Sequence, residues 1–349
     1  MKSKKPAVAL IFGGAGKEHS VSLSGAPYLF SLIDKEKFSV IPLLIKQNGI
    51  MVSASISESG AITEDDTAAH LFRMFGKGGV IIDGDFIPIS VAIPLLHGDF
   101  GEDGTVQGAL CTVGIPYVGC DGSAGSLCLD KIFTKILAEH LGIPVAKYAY
   151  LVLDGKEEGF SDAACAIEAR LGYPVIIKPA RLGSSVGIST AEGREELLSA
   201  LRRAYLSGGE RILAEELLQV RAEAECACLL LKELRLFSSP GSVRAVRGIY
   251  DYEKKYSSQG GVSISASGDF SPEETALIKQ YSASLADLLG LRHLSRIDFF
   301  VTQDGRVIFN EINTFPGFTR DSLYPKLILS SGIEPKDAIN RMLCEVAGL

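Results

Sequence analysis

The sequence predicts a mixed α/β protein of two or three domains. At 349 residues the chain is too long for one ordinary hydrophobic core. The first ~125 residues alternate strand-like and helix-like segments, as an α/β layer does. Towards the other end, two runs of alternating apolar residues flank Asp304-Gly305, the pattern of an antiparallel hairpin. We therefore expect an open α/β domain first and α+β organisation after it.

Composition excludes several functional classes. Hydrophobic residues make up 46% and charged residues 22% of the chain, as in an ordinary soluble globular protein. A net charge of −7, without a dense Lys/Arg patch, argues against nucleic-acid binding. No apolar run reaches the length of a membrane span, and the short run at 7–12 ends in Gly-Gly, which favours a first strand over a secretory signal. Seven cysteines without Cys-x-x-Cys pairs indicate buried thiols in a reducing cytoplasm.

The first predicted strand leads into a glycine-rich turn. Strands are predicted at 7–12, 38–45, 80–83 and 91–96. Gly13-Gly14-Ala15-Gly16 lacks the full G-x-G-x-x-G spacing, so these glycines favour a tight turn or close approach to a ligand. Glu18 either holds a ligand's ammonium group or lies favourably in the first turn of the following helix. Pro27 is expected to kink or restart that helix, which is predicted from 21 to 33.

The loop at 97–108 follows a predicted strand and reads His-Gly-Asp-Phe-Gly-Glu-Asp-Gly-Thr-Val-Gln-Gly. The carboxyl end of a strand is where open α/β sheets place their ligand loops. His97 is therefore a candidate substrate contact or proton relay, with a purely structural histidine as the alternative.

The central part of the chain carries lysines suited to phosphates. An amphipathic helix is predicted at 126–141, with Lys131 and Lys135 on one edge. A short buried strand ends on Lys178, and a Gly-Ser-Ser loop with Ser184 and Ser185 follows it. An ammonium group beside exposed backbone N–H and hydroxyl donors is chemically apt for phosphates. It is not a Walker motif, and a flexible hairpin is the alternative.

Further segments complete this pattern. Helices are predicted at 162–171 and 195–205 and a strand at 211–215, after which Glu215 to Leu218 could show backbone to an adenine. Glu223 and Glu225 reach a ribose or lie on a solvated strand face. The aromatic, charged and then glycine-rich stretch 250–261 has the composition of a lid loop. Ser271, Pro272 and Glu274 predict a capping box that starts a helix ending near residue 289.

The hairpin places four polar side chains on one face. With a two-residue turn, Gln303 pairs with Arg306, and the register then sets Asp298 opposite Glu311 and Arg296 opposite Asn313. Two opposed carboxylates roughly 5 Å apart at Cβ repel each other unless a cation lies between them. Oxygen-only ligands favour Mg²⁺. The alternative is a solvated face neutralised by Arg296, and a three-residue loop would move Glu311 off this face.

These motifs together resemble the ATP-grasp superfamily, and within it the D-alanine–D-alanine ligases. The resemblance covers nearly the whole chain in order. It is carried by Gly13-Gly14…Glu18-His19-Ser20-Val21-Ser22, His97-Gly98…Gly101-Glu102-Asp103-Gly104, Asp130-Lys131, Ile177-Lys178-Pro179…Gly183-Ser184-Ser185, Arg296-Ile297-Asp298 and Asn310-Glu311-Ile312-Asn313…Pro316-Gly317.

The resemblance implies a three-domain ATP-grasp fold: an N-terminal open α/β (Rossmann-like) domain at 1–125, a central subdomain at 126–216 and a C-terminal subdomain at 217–349. It implies ATP and two Mg²⁺ ions, with Mn²⁺ as a possible substitute, and a cytoplasmic homodimer without nucleic-acid or membrane partners. The first D-alanine would become an acyl phosphate, which the amine of the second D-alanine then attacks to give D-alanyl-D-alanine for peptidoglycan.

The resemblance also assigns residues. Asp298, Glu311 and Asn313 would hold the metal, and Arg296 with the backbone of Gly317 would stabilise the oxyanion. Glu18 would hold the first ammonium group, linked to Ser184 and the lid residue Tyr256, with His97 as a further substrate contact. The implied ATP contacts are Lys131, Lys178, Ser185, Glu215, Glu216, Leu218, Glu223, Lys255 and Asn310. The segment 219–222 is one residue longer than usual in the family, which leaves open whether Glu215 or Glu216 faces adenine.

Ser322 and Leu323 bear on the second substrate. The family's dipeptide ligases use this hydroxyl to receive the second carboxylate, whereas ligases for D-serine or D-lactate tend to carry Arg where Leu323 stands. These related ligases are the nearest alternative. A catalytically silent nucleotide-binding module is another alternative. The presence of all the metal and oxyanion residues, Arg296, Asp298, Glu311 and Asn313, argues against it. A dinucleotide-dependent oxidoreductase lacks its fingerprint.

Overall fold

The computed structural model of the chain describes residues 5–74, 76–245 and 262–349. Within these ranges the strands form three sheets, of seven, four and six strands, that follow one another along the sequence. The mixed α/β class predicted from the sequence is confirmed. Because each sheet occupies its own stretch of chain, we propose the predicted boundaries, with domains at 1–125, 126–216 and 217–349.

The first sheet has a parallel core and an antiparallel extension. Its strands are β1 (Ala7–Gly13), β2 (Ser39–Ile45), β3 (Met51–Ile56), β4 (Ile62–Met74), β5 (Lys77–Ile82), β6 (Asp85–Pro88) and β7 (Val91–Leu95). They lie in the order β6-β5-β4-β3-β2-β1-β7, with β1 parallel to β2 and β7. The sequence does not predict β3, β4 and β6, because β4 is mostly exposed and its polar start hides the alternation that marks a strand.

Two helices accompany this sheet, α1 (His19–Leu32) and α2 (Thr105–Val113). The predicted restart of α1 at Pro27 is wrong, because α1 is one helix with Pro27 inside it. Ala26 and Leu29 of this helix are fully buried in the same core cluster as Phe12 of β1. This packing offsets the hydrogen bond that a proline removes from a helix.

The second sheet is antiparallel and consists of β8 (Tyr148–Val152), β9 (Val175–Pro179), β10 (Ser189–Ala191) and β11 (Arg211–Glu216), in the order β10-β9-β11-β8. The helices α3 (Gly122–Leu129) and α4 (Lys131–His140) precede it, and α5 (Glu157–Leu171) and α6 (Arg194–Leu206) pack on it around one apolar core. Lys178 lies near the end of β9, as the sequence predicts.

The single helix predicted at 126–141 is wrong, since α3 and α4 meet at Asp130. Asp130 has extended backbone, with ψ 103°, and its carboxylate accepts from the N–H of Ile132. The N–H of Lys131 donates to the carbonyl of Ala180 at 2.9 Å. An N-cap that starts a new helix therefore fixes the direction in which Lys131 leaves the backbone.

The third sheet holds the predicted hairpin. Its strands are β12 (Val220–Leu231), β13 (Leu234–Phe237), β14 (Gly241–Ala245), β15 (Val262–Ser265), β16 (His293–Thr302) and β17 (Val307–Asn313). They lie in the order β15-β14-β12-β16-β17, with β13 beside β12. The helices are α7 (Pro272–Leu289), α8 (Leu323–Ser330) and α9 (Pro335–Ala347). The capping box predicted at Ser271 and Glu274 is confirmed at the start of α7.

The hairpin register is confirmed although its turn is not. Asp298 pairs with Glu311 and Arg296 with Asn313, as predicted. The two-residue turn and the pairing of Gln303 with Arg306 are wrong, because the N–H of Thr302 donates to Arg306 across a three-residue loop. A register shift between Asp298 and Phe299 then leaves Asn310 as an extra residue on β17. This bulge restores the predicted pairing.

The first sheet and the C-terminal part of the chain contribute to one apolar core. Phe12 and Leu95 of the first sheet lie in one apolar cluster with Phe318, which follows β17, and with Tyr324 and Leu327 of α8. This packing brings the loop after β7 beside the chain that leaves β17. Among the described residues, no helix is long and apolar enough to cross a membrane.

Candidate active site

The paired strands β16 and β17 present the predicted cluster of charges. The guanidinium of Arg296 donates to both oxygens of Asp298, at 2.7 Å each, and lies 2.9 Å from Glu225 of β12. The amide of Asn313 donates to Asp298 Oδ2 at 3.1 Å. Burial by itself lowers the pKa of Arg296, but the carboxylates of Asp298 and Glu225 outweigh it and hold the pKa above its ordinary value.

This cluster offers oxygen ligands to a metal. Asp298, Glu311 and Asn313 contribute two carboxylates and one amide oxygen from adjacent positions on the two strands. No group of three His, Cys, Asp or Glu side chains converges on a metal-sized site in the part of the chain that the structure describes. A set of two carboxylates fits Mg²⁺, which is usually held by one or two carboxylates with substrate phosphates completing its coordination.

Two lysines border this metal set. Lys131, on the first turn of α4, donates to the carbonyl of Leu182 at 3.0 Å and forms an ion pair of 3.0 Å with Glu311. Lys178, at the end of β9, lies 3.4 Å from Oδ1 of Asn310, the extra residue of the bulge. Both lysines are buried. Lys131 pairs with the possible metal ligand Glu311, whereas Lys178 lies beside the preceding residue, Asn310. Phosphate oxygens would complete such an arrangement.

These lysines face a cleft of about 630 Å³ between the second and third sheets. Of the predicted nucleotide contacts, the residues lining the cleft are Lys131, Lys178, Ser185, Leu218, Glu223 and Asn310. Ser184 and Ser185 both adopt left-handed backbone, with φ of 51° and 61°. Such strained residues are typical of functional loops, because the surrounding structure must hold them in place.

Glu215 and Glu216 turn their side chains in different directions. The Glu215 carboxylate forms ion pairs with Lys135 and Lys178 and is buried. The Glu216 carboxylate accepts from the N–H of Lys147 at 2.9 Å, on the side of β8. Neither carboxylate lines the cleft, whereas Leu217 and Leu218 do. The segment can therefore meet a base through its backbone and through these two leucines.

A pocket of about 520 Å³ adjoins the cleft and contains the predicted substrate residues. Ser184 donates to Glu18 Oε1, which ties the second domain to the first. Glycines surround this carboxylate, since an added Cβ would lie 2.4 Å from Glu18 Oε2 at Gly98 and 3.2 Å from it at Gly183. Only residues without a side chain allow the two loops to approach Glu18 so closely.

His97 lies on the pocket wall in a neutral form. Its Nδ1 is 3.1 Å from the carbonyl of Phe315, and Nε2 is buried with no hydrogen-bond partner among the described residues. Burial lowers the pKa of His97 to about 4, an effect that the carbonyl of Phe315 opposes and the charge of Arg296 reinforces. At neutral pH the ring can therefore hydrogen-bond to a ligand without adding charge.

Glu102 is a functional candidate that sequence reasoning does not single out. Its carboxylate accepts from the N–H of Gly98 at 3.1 Å and from the N–H of Phe315 at 3.0 Å, so it joins the loop after β7 to the chain after β17. Burial, reinforced by the charge of Glu18, raises the pKa of Glu102 to about 7. Its sequence signals are its place in the loop at 97–108 and its place in the motif from His97 to Gly104 that carries the family resemblance.

The far end of the pocket holds the residues predicted for the second substrate. Gly317, Ser322 and Leu323 all line it. Ser322 accepts from the N–H of Thr319 at 2.9 Å and lies 2.8 Å from its hydroxyl. Leu323, buried at the first position of α8, gives this end an apolar wall.

The structure thus brings the predicted residues together along two adjoining cavities, which share Lys131, Ser184 and Glu311. Lys255 and Tyr256, with the predicted lid, lie outside the described residues. A third cavity of about 790 Å³, between Tyr117 and Arg292, contains none of the predicted site residues.

Comparisons with known proteins agree with this geometry. Residues 7–120 match the family model described as "D-ala D-ala ligase N-terminus", and residues 137–344 match "D-ala D-ala ligase C-terminus". D-alanine--D-alanine ligase of Caldicellulosiruptor bescii is 36% identical, over 96% of this chain and 93% of that protein. The corresponding ligase of Ruminiclostridium cellulolyticum is 37% identical, over 97% and 94% of the two chains.

Solved structures are similar over the whole fold. D-alanyl-alanine synthetase A from Vibrio cholerae superimposes with a TM-score of 0.85 at 29% identity, and covers 99% of both chains. The VanG D-Ala:D-Ser ligase from Enterococcus faecalis superimposes with a TM-score of 0.84 at 30% identity, with the same coverage.

Proposed function

The chain belongs to the D-alanine–D-alanine ligase family, and from this premise we propose how its residues join two D-alanines. As a family member it is an ATP-dependent enzyme that makes D-alanyl-D-alanine for peptidoglycan and uses a divalent metal. The observation that carries the residue assignments is the shared wall of Lys131, Ser184 and Glu311 between cleft and pocket. A phosphoryl group that passes from ATP to a substrate needs such a junction.

The cleft is proposed to hold ATP. Leu218 and the backbone of Glu215 and Glu216 would meet the adenine, Glu223 the ribose, and Lys131, Lys178, Ser185 and Asn310 the phosphates. Lys255 is proposed to join them. Two Mg²⁺ ions, for which Mn²⁺ can substitute, would be held by Asp298, Glu311 and Asn313 and would neutralise charge on the transferred phosphoryl group. Support comes from the ion pairs that Lys131 and Arg296 form with Glu311 and Asp298.

The pocket is proposed to hold the first D-alanine at the junction. Glu18 binds its ammonium group and Ser184 fixes the Glu18 carboxylate, while His97 contributes a neutral hydrogen bond. The substrate carboxylate attacks the γ-phosphorus of ATP, and the bond from this phosphorus to the oxygen of the β-phosphate breaks. The products are an acyl phosphate and ADP. Tyr256 is proposed to close the lid, which would protect the acyl phosphate from water.

The second D-alanine is proposed to bind at Ser322, whose hydroxyl receives its carboxylate. Its neutral amine attacks the acyl carbon, and Arg296 and the backbone of Gly317 stabilise the oxyanion. Phosphate then leaves and takes up the proton that the amine nitrogen gives up as the amide forms. The apolar Leu323 supports D-alanine as the second substrate, since it offers no partner for the hydroxyl of D-serine. The chain is also similar to a D-Ala:D-Ser ligase, so the fold alone does not decide between D-alanine and D-serine as the second substrate.

We also propose a homodimer that works in the cytoplasm. All seven cysteines are free in the structure, which supports a reducing compartment. Sedimentation equilibrium of the purified chain tests the assembly, with a single monomeric species as the contrary result.

Phosphate release from ATP, measured with Mg²⁺ and D-alanine, tests the function. Parallel reactions contain D-serine or D-lactate beside D-alanine, and the products are weighed by mass spectrometry. D-Alanyl-D-alanine as the main product is expected, with no turnover when the metal is chelated and recovery on adding Mn²⁺. A mixed product would overturn the assignment of Leu323, and nucleotide binding without turnover would favour a silent binding module.

A further inference from the structure

Three buried charges lie behind the phosphate end of the cleft. Lys135, Glu215 and Lys178 are 1%, 2% and 5% exposed. Each oxygen of the Glu215 carboxylate pairs with one lysine, Oε1 with Lys135 and Oε2 with Lys178. Of the three, only Lys178 lines the cleft. Lys135 therefore contacts a nucleotide only through the other two residues.

The elements around Lys135 offer it few other charges. Lys135 lies one helical turn after Lys131 on α4. Its ammonium group is 6.0 Å from the ring centre of Tyr148, whose hydroxyl donates to Glu139 at 2.7 Å. Glu139 and Lys178 are the further charges that act on it, with opposite signs. Burying a lysine among so few charges costs free energy of folding, so its presence points to a functional role.

The net charge of Lys135, Glu215 and Lys178 suggests what this role is. Burial by itself raises the pKa of Glu215, but Lys135 and Lys178 outweigh it and hold the pKa at about 2, so the carboxylate is ionised. Burial lowers the pKa of Lys135, an effect that the Glu215 carboxylate opposes. While both lysines are protonated, two ammonium groups and one carboxylate leave a net charge of +1. Without Lys135, Glu215 and Lys178 would form a neutral buried pair, and Lys178 would attract phosphate oxygens only weakly.

We propose that Lys135 is a positioning residue that compensates Glu215, so that the charge of Lys178 remains available to the nucleotide phosphates. The inference rests on the proposed function, because it takes the cleft to be the ATP site. It distinguishes Lys135 from an ordinary structural salt bridge, which would contribute to folding but not to phosphate affinity.

Calorimetric titration with ADP and with adenosine, at fixed Mg²⁺, tests this inference. Lys135→Met should weaken ADP binding on the order of tenfold, the effect of one charge at roughly 10 Å through an effective dielectric of about 20. Adenosine affinity should not change, because adenosine carries no phosphate. The double variant Lys135→Met/Glu215→Gln restores the net charge of +1 and should recover most of the ADP affinity.

Controls separate a charge effect from a folding effect. Lys156→Met removes an exposed charge from the same domain and should leave ADP affinity unchanged. If Lys135→Met does not fold, Glu215→Gln alone provides the test. It removes the carboxylate that offsets Lys178, so ADP should bind at least as tightly as to the unaltered chain, even when burial neutralises Lys135. Equal losses for ADP and adenosine, no recovery in the double variant, or weaker ADP binding by a folded Glu215→Gln would overturn the proposal. ADP binding by a chain that makes no dipeptide would contradict the proposed function alone.

Discussion

Replacing Gly98 by alanine tests the proposed role of Glu18 without changing the carboxylate. Gly98 has a φ of +63°, and an added Cβ would lie 2.4 Å from Glu18 Oε2. Gly183 closes the other side, where a Cβ would lie 3.2 Å from the same oxygen. The Glu18 carboxylate must therefore shift from its place against Gly98, which disturbs the geometry in which it accepts from Ser184.

Two separate costs follow from this substitution. Left-handed backbone costs an alanine roughly 1–2 kcal/mol, which lowers the free energy of unfolding. Displacement of Glu18 removes a charged hydrogen bond to the substrate ammonium, worth about 1.5–3 kcal/mol. Since about 1.4 kcal/mol corresponds to a factor of ten, the D-alanine concentration for half-maximal phosphate release should rise roughly ten- to hundredfold.

Gly290→Ala is the matched control. Gly290 has the same φ of +63°, and nothing lies within 4 Å of an added Cβ. Both variants should lose similar stability in thermal unfolding, but only Gly98→Ala should need more D-alanine. If the two variants respond equally to D-alanine, Glu18 does not bind the first substrate.

Three further predictions concern the metal, the pocket wall and the second substrate. Glu311→Gln removes a metal charge but almost no volume, so phosphate release should fall at least about a hundredfold in a chain that still folds, although thermal stability falls because Lys131 loses its ion pair; near-normal turnover contradicts the metal assignment. Burial depresses the pKa of His97 from 6.5 to about 4. The free energy of unfolding should therefore be highest above pH 6.5 and should fall as the pH drops from 6.5 to about 4, because the unfolded chain takes up a proton that the folded chain does not. The NMR resonance of the His97 ring is identified by its absence from the spectrum of His97→Gln. It should not titrate between about pH 5 and 8, and a midpoint near the ordinary histidine pKa refutes the buried neutral ring. Ser322→Ala should raise the half-saturating concentration of the second D-alanine about tenfold with ATP affinity unchanged, and an unaltered D-alanine dependence excludes its hydroxyl as the receptor of the carboxylate.

The hairpin illustrates how a register can be predicted through a wrong turn. The sequence places Asp298 opposite Glu311 by assuming a two-residue loop, and the structure reaches the same pairing with a longer loop and a bulge at Asn310. The longer loop shifts the pairing of the two strands by one residue, and the bulge at Asn310 shifts it back by one. The predicted residues therefore face each other, with their side chains on the same face. A signal for the bulge is present, since Asn310 and Glu311 are adjacent polar residues that interrupt the alternation of β17.

Long-range contacts were less accessible from the sequence. Lys178, Ser184 and His97 follow predicted strands, so local pattern places them at loop ends where ligands bind. Glu102 depends on the first domain packing against the chain after β17, and no local signal distinguishes it from the adjacent Asp103. Glu215 is similar, because its proposed role depends on Lys135, which approaches from helix α4.

The charges of the site explain how it can accept metal and phosphate without a large change in electrostatic balance. Asp298 is paired with Arg296, and Glu311 with Lys131. The two carboxylates are the proposed metal ligands, and the two cations are the proposed partners of oxyanion and phosphate. If a metal–nucleotide complex bound as proposed, Asp298 and Glu311 would hold the metal, and the phosphates would take their place as partners of Arg296 and Lys131. Each of these charges would then exchange one partner for another of the same sign, which avoids the penalty of leaving an ion unpaired in the site. Pairing within the protein therefore holds the geometry of the site ready for its substrates.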